Sequence, residues 1–292
     1  MSISQAYGAD RFGLSFEFFP PKTDAGCDAL YEHVAKLMAY RPSYITCTYG
    51  AGGSTRGRTL VVVRTFKRRL QLPVASHLTC VGSSVAELRD YLQRAREGKV
   101  DNIVALRGDP PRGETHFRPV DGGLRFANEL VSLIRSEFPE FGVAVGGYPE
   151  THQEAANPEI DLENLRRKVD CGADAVITQL FYDNSDFFRF QQRCGQAGIR
   201  VPIVPGLLPI TNLRQVQRIT SLCHAKLPVN LVERLAERED EQWQFAVGVE
   251  FATRQLQQLF QVGVPGVHLY LLNKAQATSQ ILQGAGLSEQ DC

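Results

Sequence analysis

The chain predicts an α/β fold, a (β/α)8 TIM barrel with an extra helical insertion before its last strand. Eight short apolar runs alternate with amphipathic stretches of helical period along 292 residues, the pattern of parallel strands joined by crossover helices. Most of these runs lack the apolar–polar alternation of a half-exposed strand, as expected where both faces are covered. Eight such units in a chain of this length fit a closed barrel better than an open doubly wound sheet. No Ser/Gly linker, low-complexity segment or charge block interrupts them. Residues 1–292 therefore read as a single (β/α)8 barrel domain, with a short N-terminal arm over 1–12 and a frayed tail over 287–292.

The first strand is expected over 14–19, where Ser15-Phe16-Glu17-Phe18-Phe19 runs into Pro20-Pro21. Proline cannot donate to a sheet ladder, so the pair ends the strand. A helix over 24–39 follows, with Ala29, Leu30, His33, Val34 and Leu37 at helical spacing. The second strand spans 44–49 and leads into Gly50-Ala51-Gly52-Gly53-Ser54-Thr55, read as a tight loop over the barrel mouth. The third and fourth strands, 74–79 and 102–106, flank a helix over 85–97. A helix over 124–137 precedes the fifth strand, 143–148. One over 162–171 precedes the sixth, 175–181, and one over 185–197 the seventh, 203–208. Gly98, Gly172 and Gly198 follow three of these helices as stop signals. A helix over 213–222 and an insertion of about 225–263, holding two helices with one over 240–262, precede the eighth strand, 267–272. A closing helix is expected after Asn273.

Composition narrows the function. Lysine plus arginine and aspartate plus glutamate number 32 each, so no basic excess points to nucleic acid or a membrane surface. No apolar run approaches the roughly 20 residues of a membrane-spanning helix, and residues 1–10 carry no signal-type apolar segment. A soluble, cytoplasmic protein is expected. Cys27, Cys47, Cys80, Cys171, Cys194, Cys223 and Cys292 are scattered, which fits a reducing compartment rather than a disulfide framework. The histidines fall at no metal-ligand spacing, and no metal is expected.

Barrel geometry turns the pattern into a functional map, because active sites of this fold gather at the C-terminal ends of the strands. Reading those ends gives Glu17, Thr48-Tyr49-Gly50, His77-Leu78-Thr79, Arg107-Gly108-Asp109, Tyr148-Pro149-Glu150-Thr151-His152, Gln179, Pro205-Gly206 and Tyr270 with Asn273-Lys274. Ionisable groups collect there while the preceding positions are apolar. Glu17 lies in a buried strand, where a carboxylate must be paired, hydrogen-bonded or held neutral. An acid of raised pKa suits proton donation near neutral pH; a structural glutamate satisfied by a neighbour is the other reading.

In these segments the chain resembles the methylenetetrahydrofolate reductases, flavoproteins of one-carbon metabolism and methionine biosynthesis. The anchors are Ser15 to Pro21, Thr48-Tyr49-Gly50, His77-Leu78-Thr79-Cys80, Ala105-Leu106-Arg107-Gly108-Asp109, Tyr148-Pro149-Glu150-x-His152, Ile177-Thr178-Gln179, Pro205-Gly206-x-x-Pro209 and Leu272-Asn273. They occur in order over almost the whole chain, which looks like the short bacterial type with a catalytic barrel only. The resemblance implies noncovalent FAD, reduced by NAD(P)H and reoxidised by methylenetetrahydrofolate in the same place, and a homo-oligomer. No Rossmann fingerprint or P-loop contradicts that.

The resemblance makes Glu17 the general acid that protonates the amine leaving group as the substrate's five-membered ring opens. An apolar wall of Phe16, Phe18 and Phe19 is expected to keep it protonated. It places Asp109 near flavin and pterin, where its charge tunes the potential. Thr48, His77, Arg107, Gly108, Asp109, Tyr148, His152, Asp161, Asn164, Arg167 and Lys168 carry over as the FAD cradle. The last four are read as the start of a helix whose N-terminus and two cations suit a diphosphate; a solvated charged helix face is the bland alternative. Gln179, Ile219 and Lys274 carry over, with Glu17, as substrate contacts. Ile219 stands where some members have phenylalanine, and Lys274 where arginine can occur, which loses the bidentate fork. A proline-dehydrogenase-like flavin barrel and a non-catalytic barrel subunit are the other readings.

Overall fold

The computed structural model of the chain describes residues 2–8, 12–21, 23–49, 56–110, 113–114 and 116–287; the loop expected over 50–55 lies outside the described residues. The strands are β1 (Gly13–Phe18), β2 (Tyr44–Cys47), β3 (Val74–Thr79), β4 (Asn102–Leu106), β5 (Gly142–Gly147), β6 (Ala175–Thr178), β7 (Ile203–Val204), β8 (Gly206–Leu207) and β9 (Gly266–Tyr270). All pair in parallel, in the order β7-β6-β5-β4-β3-β2-β1-β9-β8. The expected seventh strand is thus one strip split at Pro205. Its first half pairs with β6 and its second with β9, so the strip closes the ring. Pro205 has no N–H to give, but its carbonyl accepts the His268 N–H at 2.9 Å.

Around the ring run α1 (Ile3–Ala6), α2 (Asp24–Leu37), α3 (Arg56–Leu70), α4 (Val85–Glu97), α5 (Ala127–Glu137), α6 (Pro158–Asp170), α7 (Asn184–Gln196), α8 (Leu213–Cys223), α9 (Val229–Ala236), α10 (Glu241–Val262) and α11 (Gln276–Gly284). The insertion before β9 holds α9 and α10, the two helices expected there. α3 was not expected. Its run Val61-Val62-Val63 reads as β-rich, yet Leu60, Val63 and Phe66 are buried at helical spacing.

Alternation along each strand divides two cores. Leu14, Phe16, Phe18, Ile45, Cys47, Ile103, Val143 and Val267 face the helices. Tyr44, Ala75, Val104, Ala144, Ala175 and Val204 fill the barrel with Ile3, Ala6 and Tyr7. Within the short N-terminal arm expected over 1–12, residues 3–7 therefore plug the barrel. Ser2 and Gln5 close α1 in a capping box, and the Ile3 N–H donates to Asn102 Oδ1 at 2.9 Å. Two carboxylates staple the same end of the barrel. Asp101 accepts both Lys67 Nζ and the Val74 N–H, and Asp174 accepts the Val143 N–H beside Arg135. Gly206 is required where it stands, since a Cβ there would lie 2.2 Å from the Thr178 carbonyl oxygen and 2.7 Å from the Tyr270 ring. Among the described residues no helix is long and apolar enough to cross a membrane.

Candidate active site

Alternation sets the site. With Phe16 and Phe18 packed toward the helices, Ser15 and Glu17 point into the barrel. The apolar wall expected around Glu17 is on the other face of the strand, and Phe19 is 41% exposed. Glu17 instead meets two imidazoles. His268 Nε2 lies 3.2 Å from Glu17 Oε2 in a hydrogen bond, and His77 Nε2 lies 3.1 Å from the same oxygen. Burial alone would raise this carboxyl's pKa. The charge of His77 and the hydrogen bond from His268 outweigh it and bring the pKa down to about 2. The two imidazoles favour the carboxylate form of Glu17, and Phe16 and Phe18, expected to hold it neutral, lie on the other face of the strand.

Below it a row of hydrogen bonds descends. His268 Nδ1 meets Ser15 Oγ at 2.8 Å, Ser15 Oγ meets Tyr7 Oη at 2.8 Å, and Tyr7 Oη meets Tyr44 Oη at 2.8 Å. Tyr270 crosses the interior beside His268, with ring centroids 5.0 Å apart and its hydroxyl donating to the Thr178 carbonyl oxygen at 2.7 Å. These side chains floor the mouth. Above the floor, Thr48 Oγ1 and Thr79 Oγ1 are buried without a hydrogen-bond partner. A buried polar atom left unpaired is costly, so two at one rim mark a place made for a polar ligand. Asn273 fixes the rim above Glu17. Its side-chain amide accepts the Phe19 N–H at 2.8 Å and donates to the Phe19 carbonyl oxygen at 2.9 Å. Leu272 and Asn273 both have positive φ, 47° and 59°, a strained turn of the kind that gathers at functional sites.

On the opposite side of the mouth, Arg107 is gripped by Glu154 through its two terminal guanidinium nitrogens, at 2.5 and 2.7 Å, with its Cζ 5.1 Å from the Phe117 ring. Asp109 is exposed and acts on its surroundings. Together with burial it pushes the Tyr148 hydroxyl pKa up. Gly108 has φ of +87°, and a Cβ there would meet Val81 Cγ1 at 2.6 Å, so only glycine makes this turn. Tyr148 and His152 pack edge to face at 4.6 Å. His152 Nδ1 accepts the Glu154 N–H, and Asp161 accepts the His152 N–H. Burial and the neighbouring Arg107 lower the His152 pKa. Lys168 donates to the Gly146 carbonyl and sits 5.9 Å from the Tyr148 ring. Burial lowers its pKa to about 8, against the pull of Asp161.

Not every expected residue joins this group in the way anticipated. α6 begins at Pro158 with Asn157 as N-cap, its side chain accepting the Ile160 N–H. Glu159 and Asp161 occupy the first turn and Arg167 and Lys168 the last. The two cations thus lie at the helix C-terminus, not at an anion-binding N-terminus. The Asn-Pro cap signal in the sequence marks this start. Arg167 is exposed and paired with Glu163 on its own helix, and Asn164 is exposed. Gln179 is half-buried, its Oε1 accepting the Leu180 N–H. Ile219 packs on α8 against the cluster of Leu180, Tyr182 and Leu208, and Lys274 is exposed. The sequence reading passed over His268, Ser15, Tyr7 and Glu154. His268 and Ser15 each stand two residues before an expected rim residue, a strand-period signal that points to the same interior face.

The family model described as "Methylenetetrahydrofolate reductase" matches residues 2–286. The chain is 36% identical to the 5,10-methylenetetrahydrofolate reductase of Pectobacterium carotovorum subsp. carotovorum, over 98% of this chain and 93% of that protein. It is 34% identical to the enzyme of that name from Escherichia coli K12, over 98% and 94%. A probable methylenetetrahydrofolate reductase (NADH) of Oryza sativa subsp. japonica is 38% identical over 99% of this chain; the chain spans about half the length of that and other plant relatives. Among solved structures, an uncharacterized protein from Clostridium thermocellum that binds two copies of 5-methyl-5,6,7,8-tetrahydrofolic acid shares the fold, with a TM-score of 0.65 at 15% identity over 97% of each chain.

Proposed function

The chain belongs to the methylenetetrahydrofolate reductase family, and from that premise we propose that it reduces 5,10-methylenetetrahydrofolate to 5-methyltetrahydrofolate in the cytoplasm, with NAD(P)H as hydride donor and FAD as carrier. Membership sets aside the proline-dehydrogenase-like reading. The observation that carries the proposal is Glu17 at the mouth, held on one oxygen by His77 and His268 beneath a rim of unpaired polar atoms. A structural neighbour of the same fold binds methyltetrahydrofolate, which is in keeping with a folate as substrate.

The residues present fit FAD. Thr48 and Thr79 offer unspent hydroxyls beside His77, Tyr148 and His152 offer an aromatic wall, and Lys168 and Arg107 offer cations on one side. Gly108, Asp109 and Asp161 complete that rim, and the family resemblance adds Asn164 and Arg167. Bound there, FAD supplies two-electron transfer, so that a nicotinamide and a folate can use one site in turn.

The chain's own part is proton handling. Glu17 Oε2 is taken up by two imidazoles, so a proton on this group is shared across Glu17, His77 and His268. A ligand closing the mouth removes the water left around this cluster, which favours the neutral form of Glu17 with the proton drawn from the imidazoles. The proton then sits on Glu17, where it can pass to the departing amine of the substrate ring. Asp109 at the rim offers a negative charge to the cationic form that ring opening creates. Gln179 can donate to one ligand and accept from the next.

Glu17→Gln tests this. The variant should keep flavin and its reduction by NAD(P)H, while flavin reoxidation by methylenetetrahydrofolate slows by about 10²–10⁴, the usual worth of acid catalysis. Unchanged reoxidation contradicts the assignment.

A further inference from the structure

We propose that Tyr7, from the N-terminal segment plugging the barrel, is a positioning residue that sets where the proton rests on the Glu17–His268 pair. The inference rests on the folate-reducing role of Glu17 and adds a residue from the far end of the barrel to it.

The placement is built, not incidental. A Cβ on Gly13 would lie 2.3 Å from Tyr7 Cδ1, and one on Gly266 2.7 Å from the same atom. Two paired glycines on β1 and β9 thus open a slot for the Tyr7 ring. Tyr7, Ser15, Tyr44 and His268 are all buried, so water does not compete for their hydrogen bonds. The row Tyr44–Tyr7–Ser15–His268–Glu17 is continuous at 2.8, 2.8, 2.8 and 3.2 Å.

Such a row has two polarities. With Glu17 ionised, each proton points toward it: Tyr44 donates to Tyr7, Tyr7 to Ser15, Ser15 to His268 Nδ1, and His268 Nε2–H to the carboxylate. With Glu17 protonated and His268 neutral, Glu17 donates to Nε2 and Nδ1–H donates to Ser15, which must then turn its own proton to the Val267 carbonyl oxygen, 3.4 Å away. A hydroxyl that already accepts one hydrogen bond is the better donor and the poorer second acceptor, so Tyr7 donating to Ser15 favours Ser15 as donor to Nδ1, and with it the carboxylate. Without the Tyr7 hydroxyl, Ser15 accepts Nδ1–H with no competing donor from that side. The other titratable groups around the pair are His77 from β3, Tyr270 from β9, and Tyr44 and Cys47 from β2. The Tyr7→Phe substitution leaves all of them in place.

The test compares wild type with Tyr7→Phe, which keeps the ring in its slot, and Tyr44→Phe, which keeps the Tyr7–Ser15 bond. Nitrogen NMR of histidine-labelled protein without substrate reads the tautomer of His268. Stopped-flow reoxidation of reduced flavin by methylenetetrahydrofolate reads the pH profile. Tyr7→Phe should raise the Nδ1–H fraction of His268 and move the apparent pKa of reoxidation up by about half to one unit, the share of one buried hydrogen bond. Tyr44→Phe should move both by less. Flavin reduction by NAD(P)H should keep its pH profile. A His268 tautomer unchanged by Tyr7→Phe overturns the proposal, whatever the activity, and so does a downward shift. A changed tautomer in a protein that does not turn over folate would sustain the link from Tyr7 to His268 and refute the folate role instead.

Discussion

Replacing Lys168 by methionine should stabilise the protein against unfolding and weaken its hold on a dinucleotide. The lysine pKa falls from 10.5 to about 8, burial being the main cause. At about 1.4 kcal/mol per unit the full displacement is about 3 kcal/mol. Lys168 is half-buried and its ammonium keeps the Gly146 carbonyl, so about 1–3 kcal/mol is the share that substitution recovers. Methionine fills the same space with an unbranched chain. The sign follows from linkage. The folded pKa lies below the unfolded one, so the penalty is full below about pH 8 and fades as pH rises toward 10.5. Urea denaturation at pH 7 should show Lys168→Met ahead by that margin, and at pH 10 the two proteins should nearly coincide. ADP or FAD affinity, by fluorescence quenching at pH 7, should fall roughly 10- to 100-fold, as for loss of a charge-assisted hydrogen bond. A stability difference that stays constant from pH 7 to 10 refutes the reasoning, because only a titrating lysine makes it close.

The other predictions concern the two ends of the barrel. Asp101→Ala removes the acceptor of both Lys67 and the Val74 N–H. It should cost about 2 kcal/mol of unfolding free energy, seen as a Tm loss of several degrees, with kcat at 25 °C unchanged. Asn273→Ala removes both bonds to Phe19 and puts alanine at a positive φ. Steady-state kinetics should show kcat falling more than KM rises, because the strand end carrying Glu17 loosens; an equal effect on Glu17→Gln background and wild type would contradict that link.

Much of the fold was legible because strands buried on both faces stay apolar and glycine punctuates the helices. The strand pattern located seven of the eight expected strands, with ends within three residues of those observed, and the expected seventh is a strip that Pro205 divides. α3 escaped because three adjacent valines mask its period, and the plug escaped because four residues of helix carry no periodic signal. The site was legible at its rim, where Glu17, His77, Arg107 and Tyr148 end strands. Its interior was not. Phe16 and Phe18 flank Glu17 in sequence but alternate away from it in the strand, so the neighbours that set its charge are His77 and His268 from other strands. The same nearness in sequence misplaced Arg167 and Lys168, since helix polarity depends on where the cap falls.

The account's central claim is one mouth serving two half-reactions. An anaerobic absorbance titration of the purified protein with FAD tests it, with NAD(P)H added first and methylenetetrahydrofolate second. The account predicts a flavin band that the first addition bleaches and the second restores. Bleaching without restoration would contradict the folate assignment, and a protein that takes up no FAD would contradict the whole functional reading.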